Sequence, residues 1–211
     1  MHDGLVIFLH GVGSQGADFA ALVQLWRTEM PGLRFAAPDG PYPFDMGPVG
    51  RQWFSVKNVT QGNRAGRILA AREPFDTILR QCLAEAGFEN RPERVVLVGF
   101  SQGSIMALDV VMSGRWNFAG VVAFSGRLAS PRPYTPAAGT PVVLVHGNAD
   151  PVIPAQDSVN AEKTLSNAGL AAELHVLPGL GHSLSGAGVA IAASFIRKVL
   201  GLPPSPPGHG A

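Results

Sequence analysis

Arg94-Val95-Val96-Leu97-Val98-Gly99-Phe100-Ser101-Gln102-Gly103 is the stretch on which the reading of this chain turns. An apolar run of strand character ends in Gly-x-Ser-x-Gly and passes directly into a helix-like segment from Gln102 to Met112. To lift a serine hydroxyl off the end of a sheet, the chain must reverse sharply, holding the serine at strained backbone angles with its neighbours pressed together. Gly99 and Gly103 supply the missing side chains. The residue after the serine opens the helix, so the Gln102 backbone N–H is one of the unpaired donors of the first turn and faces any developing oxyanion. Ser101 is the expected nucleophile.

A strand, an elbow and a helix of this kind belong to the α/β-hydrolase fold, whose triad runs Ser, Asp or Glu, His along the chain, each member on a loop after a strand. The strand 141–145 leads into His146-Gly147-Asn148-Ala149-Asp150-Pro151, which sets Asp150 in a tight turn 49 residues after Ser101. The strand 172–177 leads into Pro178-Gly179-Leu180-Gly181-His182-Ser183, with His182 on a glycine-flanked loop 81 residues after Ser101. The order is the required one, and both loops lie past carboxyl ends of strands, where an open α/β sheet gathers its ligands.

The chain opens on Leu5-Val6-Ile7-Phe8-Leu9-His10-Gly11-Val12-Gly13-Ser14-Gln15-Gly16. A His-Gly stretch after an early strand is where the second oxyanion N–H arises, and Val12 is the natural donor. The same residues spell Gly11-x-Gly13-x-x-Gly16, a dinucleotide fingerprint, with Asp39 closing the next strand where a ribose-binding acid would stand. Against that rival, Pro38 and Pro41 bracket Asp39 in a turn, and Ser101, Asp150 and His182 would go unexplained.

Together, Leu9-His10-Gly11-Val12-Gly13, Arg51-Gln52-Trp53-Phe54, Gly99-Phe100-Ser101-Gln102-Gly103, His146-Gly147-Asn148-Ala149-Asp150-Pro151 and Gly179-Leu180-Gly181-His182 resemble the phospholipase/carboxylesterase family, from about Leu5 to Leu200. The resemblance implies Ser101 as nucleophile, His182 as general base, Asp150 as its orienter, and the Val12 and Gln102 N–H groups as oxyanion hole. It implies hydrolysis of carboxylic esters of short to medium acyl chains through an acyl-enzyme, with acyl-protein thioesterase or lysophospholipase activity as the alternative. No cofactor is implied. Two positions depart from the family pattern, Ser14 where an acidic residue is common and Ser104 where a third glycine is common; both bear on the pocket rim rather than on the chemistry. A catalytically silent binding module is the reading from another class, and the intact Ser, Asp and His in order argue against it.

The fold class that follows is α/β, a mostly parallel sheet with helices on both faces and no large cap domain. Strands are expected at about 5–10, 34–37, 94–99, 119–124, 141–146 and 172–177, and helices near 18–29, 65–87, 102–113, 155–168 and 186–200. Residues 1–202 read as one domain, large enough to bury roughly 70% of its unfolded surface. The stretch 203–211, dominated by Pro and Gly, reads as a disordered tail. The segment 40–63, with Pro41, Pro43, Pro48, Gly47 and Gly50, reads as a long irregular loop. Its Tyr42, Phe44, Met46, Trp53 and Phe54 are candidates to wall an acyl pocket, Trp53 being the foremost substrate-binding candidate. Anchoring of the loop in the core is the competing role for Trp53 and Phe54.

Sixteen basic against 15 acidic residues give a net charge of +1 and no basic surplus for nucleic acid or anionic lipid. No apolar run approaches the roughly 18 residues of a membrane span, and no signal peptide is evident, so a cytoplasmic location is expected. The single cysteine, Cys82, excludes an internal disulfide and fits a buried helix face with Phe75, Ile78, Leu79 and Leu83. A metal site built from His10, His146 and His182 lacks any supporting His-x-x-x-His or Cys cluster. The expected partner is a small-molecule ester or thioester, with a homodimer also open.

Overall fold

The computed structural model describes residues 4–136 and 138–203. In chain order the elements are β1 (Gly4–Leu9), α1 (Ala20–Glu29), β2 (Leu33–Ala36), β3 (Tyr42–Pro43), β4 (Arg51–Gln52), α2 (Gln61–Ala86), β5 (Val95–Phe100), α3 (Gln102–Ser113), β6 (Gly120–Phe124), β7 (Val142–Gly147), α4 (Ala155–Asn167), β8 (Ala172–Leu177) and α5 (Gly186–Leu200). Six strands form one sheet in the order β2-β1-β5-β6-β7-β8, every neighbouring pair parallel. Parallel strands need crossovers, and the helices that supply them cover both faces.

The period of two along each strand divides the core. Leu5, Ile7, Leu9, Val95 and Leu97 face one side with Ile68, Phe75 and Leu79 of α2, Met106 and Val110 of α3 and Leu165 of α4. Val6, Phe8, Val96, Val98, Val122 and Val143 face the other with Trp26 of α1 and Ala192 and Ile196 of α5. α3 is buried from Gln102 to Met112, because it runs beneath the middle of the sheet. The α/β expectation is met, with no cap domain among the described residues.

The differences are local. Arg94 belongs to a short 3-10 turn, and β5 begins at Val95 and extends through Phe100. α2 begins at Gln61, so the last residues of the expected loop 40–63 are helical. The reason is a reciprocal cap: Asn63 N–H donates to Thr60 Oγ1 at 3.3 Å, and Thr60 N–H donates to Asn63 Oδ1 at 2.8 Å. The rest of the loop is pinched by the short antiparallel pair β3 and β4. Cys82 is buried on α2 as expected, and burial, then Glu85, pushes its thiol up to about 11. The expected tail over 203–211 lies, beyond Pro203, outside the described residues.

α2 and α3 are joined by charge as well as by apolar packing. Asp109, fully buried in α3, accepts from Arg72 Nε and Nη2, both at 2.9 Å, and from Arg115 Nη1 at 2.7 Å. Arg115 donates from Nε to Asp76 of α2 at 2.9 Å. Removing the central carboxylate leaves the Arg72 guanidinium without its carboxylate partner and takes one of two carboxylates from Arg115, which keeps Asp76. Asp109→Ala is therefore expected to lower unfolding stability by about 3–5 kcal/mol, measured by urea denaturation.

Candidate active site

The elbow between β5 and α3 has the geometry its sequence demands. Ser101 stands at φ 53° and ψ −114°, on the left-handed side where a side chain costs about 1–3 kcal/mol. A Cβ on Gly99 would fall 2.5 Å from Ser104 N, and one on Gly103 would fall on the Leu9 carbonyl oxygen of β1. The tight turn thus presses α3 against both β5 and its neighbour β1, and leaves the Ser101 hydroxyl beyond the end of the sheet.

His182, from the loop after β8, lies with Nε2 2.9 Å from Ser101 Oγ and Nδ1 2.7 Å from Asp150 Oδ2. A carboxylate only accepts, so Nδ1 carries the proton and Nε2 is left to accept from the serine hydroxyl. The ring packs on Phe100, centroid to centroid 4.9 Å. Its loop is strapped to the Asp150 loop: Gly179 N–H donates to Asn148 Oδ1 at 2.7 Å and Ala149 N–H to Leu180 O at 3.0 Å.

Asp150 is held by four donors. Its Oδ1 accepts from the N–H groups of Val152 at 2.8 Å and Ile153 at 2.9 Å. Its Oδ2 accepts from His182 Nδ1 and from His146 Nε2 at 3.1 Å. Burial alone would raise this carboxyl, but the His182 bond and the two backbone donors outweigh it and hold the group below its ordinary range. His146, a member of the metal reading, is fully buried; its Nε2 reaches the Ile153 carbonyl at 2.8 Å as well as Asp150, and its Nδ1 lies 2.6 Å from the Ser158 hydroxyl. No spacing rule links a histidine four residues before the acid to this duty, so its bond to Asp150 escaped the sequence reading.

The His10-to-Ser14 loop lies against the elbow, a Cβ on Gly11 falling 3.3 Å from Ser101 Cβ. Gly13 N–H donates to Arg51 O at 2.9 Å and Arg51 N–H to Ser14 O at 2.8 Å. Among the described residues the Val12 N–H has no acceptor. The Gln102 N–H, at the first position of α3, has none within its helix. Two unspent donors beside the serine are what an oxyanion requires. His10 sits under this loop, 1% exposed: Gly40 N–H donates to its Nε2 at 2.8 Å, so Nδ1 carries the proton donated to Gly11 O at 2.7 Å. Burial pushes the His10 imidazole below its ordinary value of 6.5. The dinucleotide reading loses its acid here, because Asp39 Oδ1 accepts from Gly16 N–H at 2.8 Å and closes the glycine loop on its own chain.

The aromatic loop divides. Trp53, expected to meet substrate, is 1% exposed: its indole N–H donates to His10 O at 2.8 Å, and its ring packs edge-on against Phe75, so it offers no face to a ligand. Phe54 is likewise buried, whereas Tyr42 and Met46 are exposed. The sequence reading used only the backbone of Gln102, yet its side chain is buried and bridges two strangers. Trp53 N–H donates to Gln102 Oε1 at 2.8 Å, and Gln102 Nε2 donates to Phe54 O at 2.7 Å. One amide therefore latches the loop to the elbow.

A model of the phospholipase/carboxylesterase family matches residues 1–200. An esterase of Escherichia coli, YpfH, is 32% identical over 196 residues, covering 93% of this chain and 83% of the relative. Acyl-protein thioesterase 1 of Gibberella zeae is 28% identical over 218 residues, covering 94% and 92%. Among solved structures, esterase PE8 superposes with a TM-score of 0.86 at 33% identity, covering 94% of this chain and 93% of its own.

Truncating Gln102 to Ala keeps its N–H but leaves a buried donor and a buried acceptor unpaired, at about 1–3 kcal/mol each. Gln102→Ala is expected to lower the melting temperature by roughly 4–24 °C in calorimetry. The buried neutral His10 sets an acid limit. The unfolded chain takes up this proton near 6.5 and the native state only at lower pH, so between the two values the unfolded state binds more protons. Its contribution is complete above pH 6.5 and is lost as pH falls toward the native value; denaturant midpoints from pH 7.5 to 5 should fall more steeply in the wild type than in His10→Gln.

Proposed function

The chain belongs to the phospholipase/carboxylesterase family of α/β-hydrolases, and from that premise we propose that Ser101, His182 and Asp150 hydrolyse carboxylic esters by two-step acyl transfer. The observation that carries the reading is the unbroken line of hydrogen bonds from Ser101 Oγ through His182 to Asp150, starting at a serine with a strained backbone.

His182 Nε2 takes the hydroxyl proton as Ser101 Oγ attacks the ester carbonyl carbon. The imidazolium that forms keeps its Nδ1 proton on Asp150, whose low basicity leaves the charge on the ring. The tetrahedral oxyanion is taken up by the N–H groups of Val12 and Gln102. His182 then gives its proton to the departing alcohol or thiol, leaving the acyl group on Ser101. A water, deprotonated by the same nitrogen, attacks the acyl carbonyl, and collapse of that second adduct returns the proton to Ser101 Oγ and frees the acid. Residues 1–202 act as one domain in this scheme, and Trp53 anchors the loop behind the Val12 donor. No helix among the described residues is long and apolar enough to cross a membrane. The substrate in this reading is a small-molecule ester or thioester.

Ser101→Ala is expected to abolish labelling by a fluorophosphonate and to lower ester turnover by about a millionfold, with an unchanged circular dichroism spectrum. Hydrolysis that persists in folded Ser101→Ala would name another nucleophile. A panel of 4-nitrophenyl esters and acyl thioesters of graded length would rank ester against thioester substrates.

A further inference from the structure

Beside the triad, on the same carboxyl end of the sheet, a groove of about 790 Å³ runs between the loop that follows β6 and the amino ends of α2 and α4. β6 lies between β5 and β7, so this loop leaves the sheet between the Ser101 turn and the Asp150 turn. Pro154, four residues after Asp150, is part of the groove wall.

The charges around this groove are unbalanced. Arg64, Arg127 and Arg132 line it against the single carboxylate of Asp157. Asp157 is taken by Arg127 at 3.2 Å. Arg132 lies over the ring of Tyr134, 4.6 Å from its centroid, which leaves the N–H edge of the guanidinium unspent. Arg64 is half-buried, and among the described residues its side chain makes neither an ion pair nor a hydrogen bond. Burial, and then the facing Arg127, disfavour its charge, and the attraction of Asp157, already paired with Arg127, offsets only part of this. The Ser130 hydroxyl, in the same wall and 93% buried with its residue at 7% exposure, has no partner either. The amino end of α4 at Pro154 adds the positive end of a helix dipole. A half-buried guanidinium set against another, with the nearby carboxylate already paired elsewhere, is a costly placement that an incoming oxyanion relieves with charge-assisted bonds.

We propose that this groove binds an anionic group carried by the substrate, a carboxylate or a phosphate, on an ester whose carbonyl lies at Ser101. The inference rests on the esterase reading above and adds to it the charge of the substrate. Arg64 is a specificity-determining residue in this assignment, Arg127 supports it, and neither takes part in the bond-breaking steps.

The test compares 4-nitrophenyl monoesters of the dicarboxylic acids from succinate to suberate with their neutral methyl-capped counterparts. A phosphate-terminated ester of matching length is the arm that distinguishes the two oxyanions. In the wild type, kcat/KM for at least one charged ester is expected to exceed that of its neutral counterpart by about tenfold at low salt, and to lose that lead at high salt. In Arg64→Gln the ratio falls to near one while the neutral rate is unchanged, which also reports that the variant is folded. In parallel, inorganic phosphate at constant ionic strength is expected to raise the melting temperature of the wild type but not of Arg64→Gln. Neutral esters hydrolysed with no charge preference at any length would overturn the groove and leave the esterase reading intact. Inertness toward every ester would sink the esterase reading, and the phosphate measurement would then decide the groove alone. A preference or a phosphate effect that survives Arg64→Gln overturns the assignment.

Discussion

The structure hangs on a collision that two absent side chains avoid. α3 starts so close to β5 and β1 that only hydrogen fits at Gly99 and Gly103, and this closeness forces Ser101 into backbone angles that a serine does not choose. The strain is a fixed cost, and the surrounding sheet over-determines it: Ser101 N–H donates to Phe124 O at 2.9 Å, and the Ser104 hydroxyl donates toward the Gly99 and Phe124 carbonyls, each 2.7 Å away. With the serine fixed, the partners need only be brought to it. They come from the ends of β7 and β8, where parallel register already carries the chain to the same face.

Support for the site is built from buried, hydrogen-bonded histidines and saturated acceptors. His10 stiffens the loop of the Val12 donor, and His146 spends its proton on Asp150 and the Ile153 carbonyl. Each ring works because a buried partner decides which nitrogen holds the hydrogen. Asp39 and Gln102 act alike, converting residues distant in sequence into walls for Gly16 and for the Trp53-Phe54 backbone.

The strands, the elbow and the Ser, Asp and His order were legible in the sequence because each rests on local chemistry: runs of Val and Leu, glycines where backbones touch, turns after strands. The start of α2 follows directly on a stretch rich in Pro and Gly that hides it, whereas the Thr60 and Asn63 pair that sets it is a local signal open to reading. The side-chain duties of Gln102 and His146, and the burial of Trp53, were not legible. They depend on which distant segments meet, and no periodicity encodes that a tryptophan in a proline-rich loop will pack on Phe75.

The short β3 and β4 pairing divides the long loop into two territories. Everything on the Arg51-to-Phe54 side is tied to the Val12 loop or to Gln102, whereas Met46 and Val49, at the tip between the paired strands, are 62% and 76% exposed. Residues 45–49 can therefore drift, lengthen or be recruited by a new ligand while the paired base holds its place. The hairpin gives the lineage a region of free experiment next to a region under strict constraint, so that the range of molecules admitted and the rate at which they are cleaved are able to evolve separately.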